Sequence, residues 1–112
     1  MSVTIYHNPK CGKSRATLKL LEAKGITPTV VEYLKSPPSV TELKRILGQL
    51  GIAARQLLRK KEAAQAGIDP GLPEDQLIAA MAAHPIVIER PIVVANGKAR
   101  LGRPPEAVLE IL

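Results

Sequence analysis

The 112-residue chain carries 16 Lys and Arg against 10 Asp and Glu, for a net charge of +6, with 46% hydrophobic residues, 2% aromatic residues and a single cysteine. These values fit one globular domain over residues 1–112 with an aliphatic core, and they exclude a disordered tail, a disulfide scaffold and a cysteine-rich zinc site. Tyr6 and Tyr33 are the only aromatics, which argues against a nucleic-acid binder that stacks bases on aromatic platforms. In chain order, Val3-Thr4-Ile5-Tyr6 predicts a first strand. The turn His7-Asn8-Pro9-Lys10-Cys11-Gly12 follows. A helix comes next, with Ser14, Thr17, Leu18 and Leu21 inward and Lys19, Glu22 and Lys24 outward, ended by Gly25. Thr29–Tyr33 predicts a second strand. Strand, helix and strand in about thirty residues make a βαβ unit with a parallel pair.

Ser36-Pro37-Pro38 breaks the pattern. Ser39 and Glu42 fit a capping box for a helix whose core face is Val40, Leu43, Ile46, Leu47 and Leu50, stopped by Gly51. A short helix is expected from Ala53 to Lys60, a loop over Gly67–Pro73, and a helix from Glu74 to about Ala83 with Leu77, Ile78 and Met81 inward. Ile92-Val93-Val94 predicts a strand. Asn96-Gly97 closes a tight hairpin, and Lys98–Leu101 returns antiparallel. Pro104-Pro105 opens a last helix with Val108, Ile111 and Leu112 apolar.

The sum is an α/β fold, a mixed four-stranded sheet with flanking helices. This is the thioredoxin-like arrangement with a helical insertion before the third strand. Arg90-Pro91 stands where such folds keep a cis-proline beside an active cysteine, so a cis bond is expected there.

The charge points to anionic partners: nucleic acid, phosphates or small oxyanions. The densest basic run, Arg59-Lys60-Lys61, reads first as a solvated helix face. The start MSVTIYHNPK has no basic segment followed by an apolar one, so no signal peptide is expected. The longest stretch without Asp, Glu, Lys or Arg, from Gln76 to Ile88, is too short to span a bilayer. A lone cysteine suits a reducing, cytoplasmic compartment. Any redox chemistry at Cys11 then needs a thiol from another molecule.

Cys11 lies between the first strand and the first helix, at the carboxyl end of a strand, where open α/β sheets bind ligands. The helix N-terminus offers unsatisfied N–H groups and the positive end of the helix dipole. Lys10, Lys13, Arg15 and His7 are close in sequence and add positive charge. These features favour thiolate over thiol, and the same N–H groups favour a bound anion. The blander reading, a small buried hydrophobe, is the commoner fate of a lone cysteine, but the polar, glycine-flanked loop opposes it. Ser14 stands where a CxxC pair would have its second cysteine. Its hydroxyl is placed either to donate to the thiolate or to cap the helix. His84, before Pro85, reads as a cap or surface residue. Two distant histidines and one cysteine do not make a metal site.

The segment HNPKCGKSR resembles the active-site loop of the ArsC-type arsenate reductases, the glutaredoxin-dependent kind with a thioredoxin-like fold. Leu57-Leu58-Arg59-Lys60, Glu89-Arg90-Pro91-Ile92-Val93-Val94 and Leu101-Gly102-Arg103-Pro104 resemble that family's three arginine motifs, in order. The resemblance implies that Cys11 is the catalytic nucleophile. It implies that Arg59, Arg90 and Arg103 hold the oxyanion, and that His7 and Ser14 support the thiolate. An arginine fork suits a tetrahedral oxyanion and stays charged at any working pH. Taken singly, each of these arginines would read as structural; the joint match carries the assignment. The implied reaction reduces arsenate to arsenite with no bound cofactor or metal, glutathione as co-substrate and a glutaredoxin as the protein reductant. Lys13 departs from the small hydroxyl residue common in the longer enzymes, and residues 90–112 resemble more closely a short branch of the family.

Two other functions compete. One is a redox-responsive regulator of the Spx-like kind that binds RNA polymerase; Ser14 in place of a second cysteine argues against its disulfide switch. The other is a glutathione-linked thiol oxidoreductase without arsenic chemistry. Direct nucleic-acid binding ranks last, and no membrane partner is expected.

Overall fold

The β-branched residues at the start form β1 (Val3–His7) and the next apolar stretch forms β2 (Thr29–Glu32), with α1 (Gly12–Ala23) between them in a computed structural model that describes residues 2–112. Near the other end of the chain, β3 (Ile92–Ala95) and β4 (Lys98–Leu101) make a hairpin, followed by a 3-10 helix over Pro105–Ile111. The sheet order is β2-β1-β3-β4. β1 runs parallel to β2 and antiparallel to β3, which is antiparallel to β4. This is the thioredoxin-like mixed sheet expected from the element order.

Register sets the core. Val3 pairs with Ala95 and Ile5 with Val93, so all four side chains share one face. Leu21 of α1 and Val108 and Ile111 of the 3-10 helix complete that cluster. Fully burying a side chain such as Ile5 or Leu21 stabilises the fold by about 1.5–3 kcal/mol. The inward face of α1 is Ser14, Thr17 and Leu21, as the spacing predicts. Asn96 and Gly97 turn the hairpin at φ 55 and φ 74, the left-handed pair that this turn requires. Arg90-Pro91 is cis as expected, and Arg103-Pro104, where no cis bond was expected, is cis too.

The chain divides into two compact units. One holds the segments up to Ser36 and from Arg90 onward, and the other is Pro37–Glu89. The second unit is the helical insertion, made of α2 (Val40–Leu50), α3 (Ala54–Leu57), α4 (Lys60–Gln65) and α5 (Glu74–Ala83), with a 3-10 turn at Pro85–Val87. Ser39 Oγ accepts the Glu42 N–H at 3.1 Å, and Gly51 ends α2 at φ 71. Leu43, Ile46 and Leu47 of α2 and Leu77, Ile78 and Met81 of α5 are buried as predicted. Val40, expected in the core, is 38% exposed, because it is the first helical residue and the buried stripe begins one turn later. Leu50 is only half-buried.

The helix expected over Ala53–Lys60 is instead two. The backbone between α3 and α4 leaves the helical course to pair with the strand-like stretch after α5. Arg59 N–H donates to Val87 O at 2.7 Å and Glu89 N–H to Leu57 O at 2.8 Å. The last helix is 3-10 rather than α. Among the described residues no helix is long and apolar enough to cross a membrane.

Candidate active site

Strand β1 ends at His7, and the chain must turn before α1 begins at Gly12. The Asn-Pro step makes that turn. Asn8 Oδ1 accepts the Lys10 N–H at 3.0 Å, and Asn8 O accepts the Cys11 N–H at 3.0 Å. The backbone of Cys11 is extended, and its carbonyl accepts the Arg15 N–H, so the cysteine is the N-cap of α1. Its side chain therefore lies beside the free N–H groups of the first turn.

Two opposing influences act on this thiol. The largest is burial, which raises the pKa; it is outweighed by the Ser14 N–H, the Arg90 guanidinium and the Lys13 N–H, and the net result lies below the ordinary thiol value. Arg103 Nη2 reaches Sγ at 3.8 Å. That contact is long, and the lowering is carried by the helix N–H groups and Arg90. Cys11 is half-buried and free of any disulfide.

Arg90 and Arg103 arrive from the two ends of the β3–β4 hairpin. Gly102 N–H donates to Pro91 O at 3.0 Å, extending the ladder beyond the strands and setting the two arginines side by side. Arg103 Nε then donates to Arg90 O at 2.8 Å, which fixes the direction of its guanidinium. Arg90 Nε and Nη1 are buried and meet no hydrogen-bond partner among the described residues. Buried guanidinium N–H groups are costly when unmatched. Here they belong to the guanidinium that faces the Cys11 thiol, where a tetrahedral oxyanion would satisfy them.

The Ser14 hydroxyl meets neither expectation. It neither bonds the sulfur nor caps the helix. It accepts the Asn8 N–H at 3.0 Å and lies 2.6 Å from His7 Nδ1. The pair closes if the hydroxyl donates to Nδ1, which puts the ring proton on Nε2. Only the backbone N–H of Ser14 serves Cys11. His7 is buried, and its pKa is lowered, first by burial and also by Arg15, against the raising effect of Glu32. The shift favours the neutral ring. The lowering works against the positive charge expected of His7, and its Nδ1 lies against the Ser14 hydroxyl. Lys10, Lys13 and Arg15 are exposed; Arg15 Nη1 donates to Pro9 O at 3.0 Å and braces the loop.

Arg59 lies in the Pro37–Glu89 unit. Its Nη1 is 3.0 Å from Glu89 Oε1 and its Nε 3.2 Å from Glu62 Oε1. It borders an open cleft of about 760 Å³ that Arg55, Lys60 and Glu89 also line. Among the described residues no group of three or more His, Cys, Asp or Glu could hold a metal ion.

Sequence reasoning missed the Lys13 N–H as a donor to the sulfur, the brace by Asn8, and the packing around Gly102. The Asn-Pro dipeptide was the available signal for Asn8, since asparagine side chains commonly close such turns.

The ArsC family profile matches residues 6–111. The chain belongs to the ArsC family. An arsenate reductase of Rhizobium meliloti strain 1021 is 51% identical, the match covering 100% of this chain and 82% of the relative. A protein of Escherichia coli K12, YfgD, described as uncharacterized, is 53% identical over 98% of this chain and 96% of its own length. Among solved structures, an arsenate reductase from Vibrio cholerae superposes with a TM-score of 0.91 at 58% identity, covering 100% of this chain and 98% of that one. The ArsC fold thus sets Cys11, Arg90 and Arg103 at one place, the end of β1 and the open end of the hairpin.

Proposed function

We propose that this ArsC protein is an arsenate reductase in which Cys11 is the nucleophile. One observation carries the reading: a thiol held below its ordinary pKa faces Arg90, whose buried Nε and Nη1 have no partner among the described residues. A thiolate next to unmatched cationic donors is built to attack a bound oxyanion. Family membership and relatives named arsenate reductase support the choice of arsenic.

In this reading arsenate takes the Arg90 donors and the Arg103 guanidinium, in front of the first turn of α1. Arg59 is given a share of the oxyanion on the strength of its sequence motif. The Cys11 thiolate attacks arsenic(V), and a water formed from an arsenate hydroxyl and a proton leaves. A glutathione thiolate then attacks the Cys11 sulfur. The sulfur–arsenic bond breaks with its electron pair kept by arsenic, which leaves as arsenite. Cys11 is now in a mixed disulfide with glutathione, and a glutaredoxin reduces it. The single cysteine supports this dependence on outside thiols, because no second cysteine exists to resolve the intermediate. It also supports a reducing cytoplasm as the working compartment.

The test is the intact mass of the protein after incubation with arsenate and glutathione and no glutaredoxin. A glutathione adduct on Cys11 that forms only when arsenate is present is the expected result. An adduct that forms equally without arsenate would favour the glutathione-linked oxidoreductase instead.

A further inference from the structure

We propose that Gly102 is a positioning residue of this site: having no side chain there lets the Arg90 and Arg103 backbone close onto the helix that holds the Cys11 thiolate. The inference rests on the proposed arsenate reaction for its kinetic readout but on packing for its origin. A Cβ built on Gly102 would overlap Thr17 Oγ1, lie 2.7 Å from Pro91 Cγ and 3.2 Å from Thr17 Cγ2. Real Cβ atoms do not approach neighbours that closely, so something would have to move.

Neither neighbour is free to yield. Thr17 is fully buried on α1, and its Oγ1 donates to the Lys13 carbonyl at 2.8 Å. Lys13 and Ser14 in that same turn supply the N–H groups that hold the sulfur. Pro91 is buried and follows Arg90 directly, and its carbonyl accepts the Gly102 N–H at 3.0 Å. Gly102 in turn precedes Arg103. It is therefore wedged between the turn that carries the thiolate and the chain that carries both guanidinium groups. Its φ is not in the left-handed region, so the requirement is for space rather than for backbone freedom. Arg103 already meets the sulfur at 3.8 Å, and a few tenths of an ångström of recoil would break that contact and draw Arg90 away.

The test is Gly102→Ala, with Thr17→Ala as the compensating change. Gly102→Ala should raise KM for arsenate at least tenfold and move the Cys11 titration, followed by thiolate absorbance, upward. Thr17→Ala in the same chain removes both threonine atoms but leaves Pro91 Cγ at 2.7 Å, so it should recover part of both effects. If Gly102→Ala alone does not fold, the double variant carries the test: it should fold with KM raised less than tenfold over the wild type. A Gly102→Ala protein that loses melting temperature but keeps the wild-type KM and titration would overturn the proposal, as would a KM defect that Thr17→Ala does not reduce. Should the wild type fail to turn over arsenate, the arsenate reading falls, while the thiolate titration of the same variants still decides whether Gly102 sets the distance.

Discussion

Replacing Arg90 by alanine removes the group on which the site depends most. Its buried Nε and Nη1 have no partner among the described residues, so each has a hydrogen bond to gain from a bound oxyanion. A hydrogen bond to a charged group contributes about 1.5–3 kcal/mol. Two of them set the ceiling near 6 kcal/mol, and water entering the vacated space returns part of it. A loss of about 3 kcal/mol in transition-state binding corresponds to roughly two orders of magnitude in kcat/KM. The same change removes the Arg90 contribution to the lowered Cys11 pKa, while burial continues to push it up. Steady-state arsenate reduction, coupled to NADPH oxidation through glutathione reductase, measures the first effect. Thiolate absorbance against pH measures the second. Arg90→Lys separates charge from shape. It keeps the cation but not the planar fork, so it should lose about tenfold in kcat/KM while the thiol stays below its ordinary value. An Arg90→Ala protein within threefold of wild-type kcat/KM, with an unmoved thiol titration, would refute the argument.

Other expectations follow from the same contacts. His7 has its pKa lowered in the fold, so the folded state binds fewer protons than the unfolded one. Its contribution to stability is complete above the ordinary histidine pKa of about 6.5 and is lost as the pH falls through the lower folded value. Urea titrations from pH 7 to 5 should show the decline, and His7→Gln should flatten it. Ser14→Ala frees His7 and the Asn8 N–H but keeps the backbone donor to sulfur, so it should loosen the loop and leave the thiolate lowered, as alkylation rate against pH would report. Ser39→Ala removes the cap on Glu42 N–H and should cost about 1 kcal/mol in urea unfolding. Leu77→Ala opens a cavity in the insertion, where Leu77 is 2% exposed, and should cost about 2–5 kcal/mol.

Most of the fold was legible in the sequence because its signals are local. Val3 to Tyr6, the Gly25 and Gly51 stops, the Asn96-Gly97 turn and the inward faces of α1 and α5 each need only a few neighbouring residues to specify them. The break between α3 and α4 was not legible. It is imposed by pairing with Val87 and Glu89, some thirty residues on, and no local pattern carries that. Val40 was misplaced for a related reason, since an apolar residue at the right spacing still lies outside the core when the helix has only begun. At the site, the position of Cys11 pointed to a lowered thiol, and the motif named Arg90 and Arg103, both of which come near Cys11. The sequence could not show what Ser14 does with its hydroxyl. The histidine–serine pair depends on a 2.6 Å approach between the end of a strand and the first turn of a helix, which is tertiary geometry. The same holds for Gly102, whose role depends on where Thr17 and Pro91 sit.

Whether Cys11 is the nucleophile for arsenate is decided by the coupled NADPH assay with arsenate, glutathione, glutaredoxin and glutathione reductase, run on wild type and Cys11→Ser. Arsenate-dependent oxidation by the wild type that disappears in Cys11→Ser is the predicted result. Full turnover in Cys11→Ser, or a wild type whose NADPH oxidation does not depend on arsenate, would contradict that role.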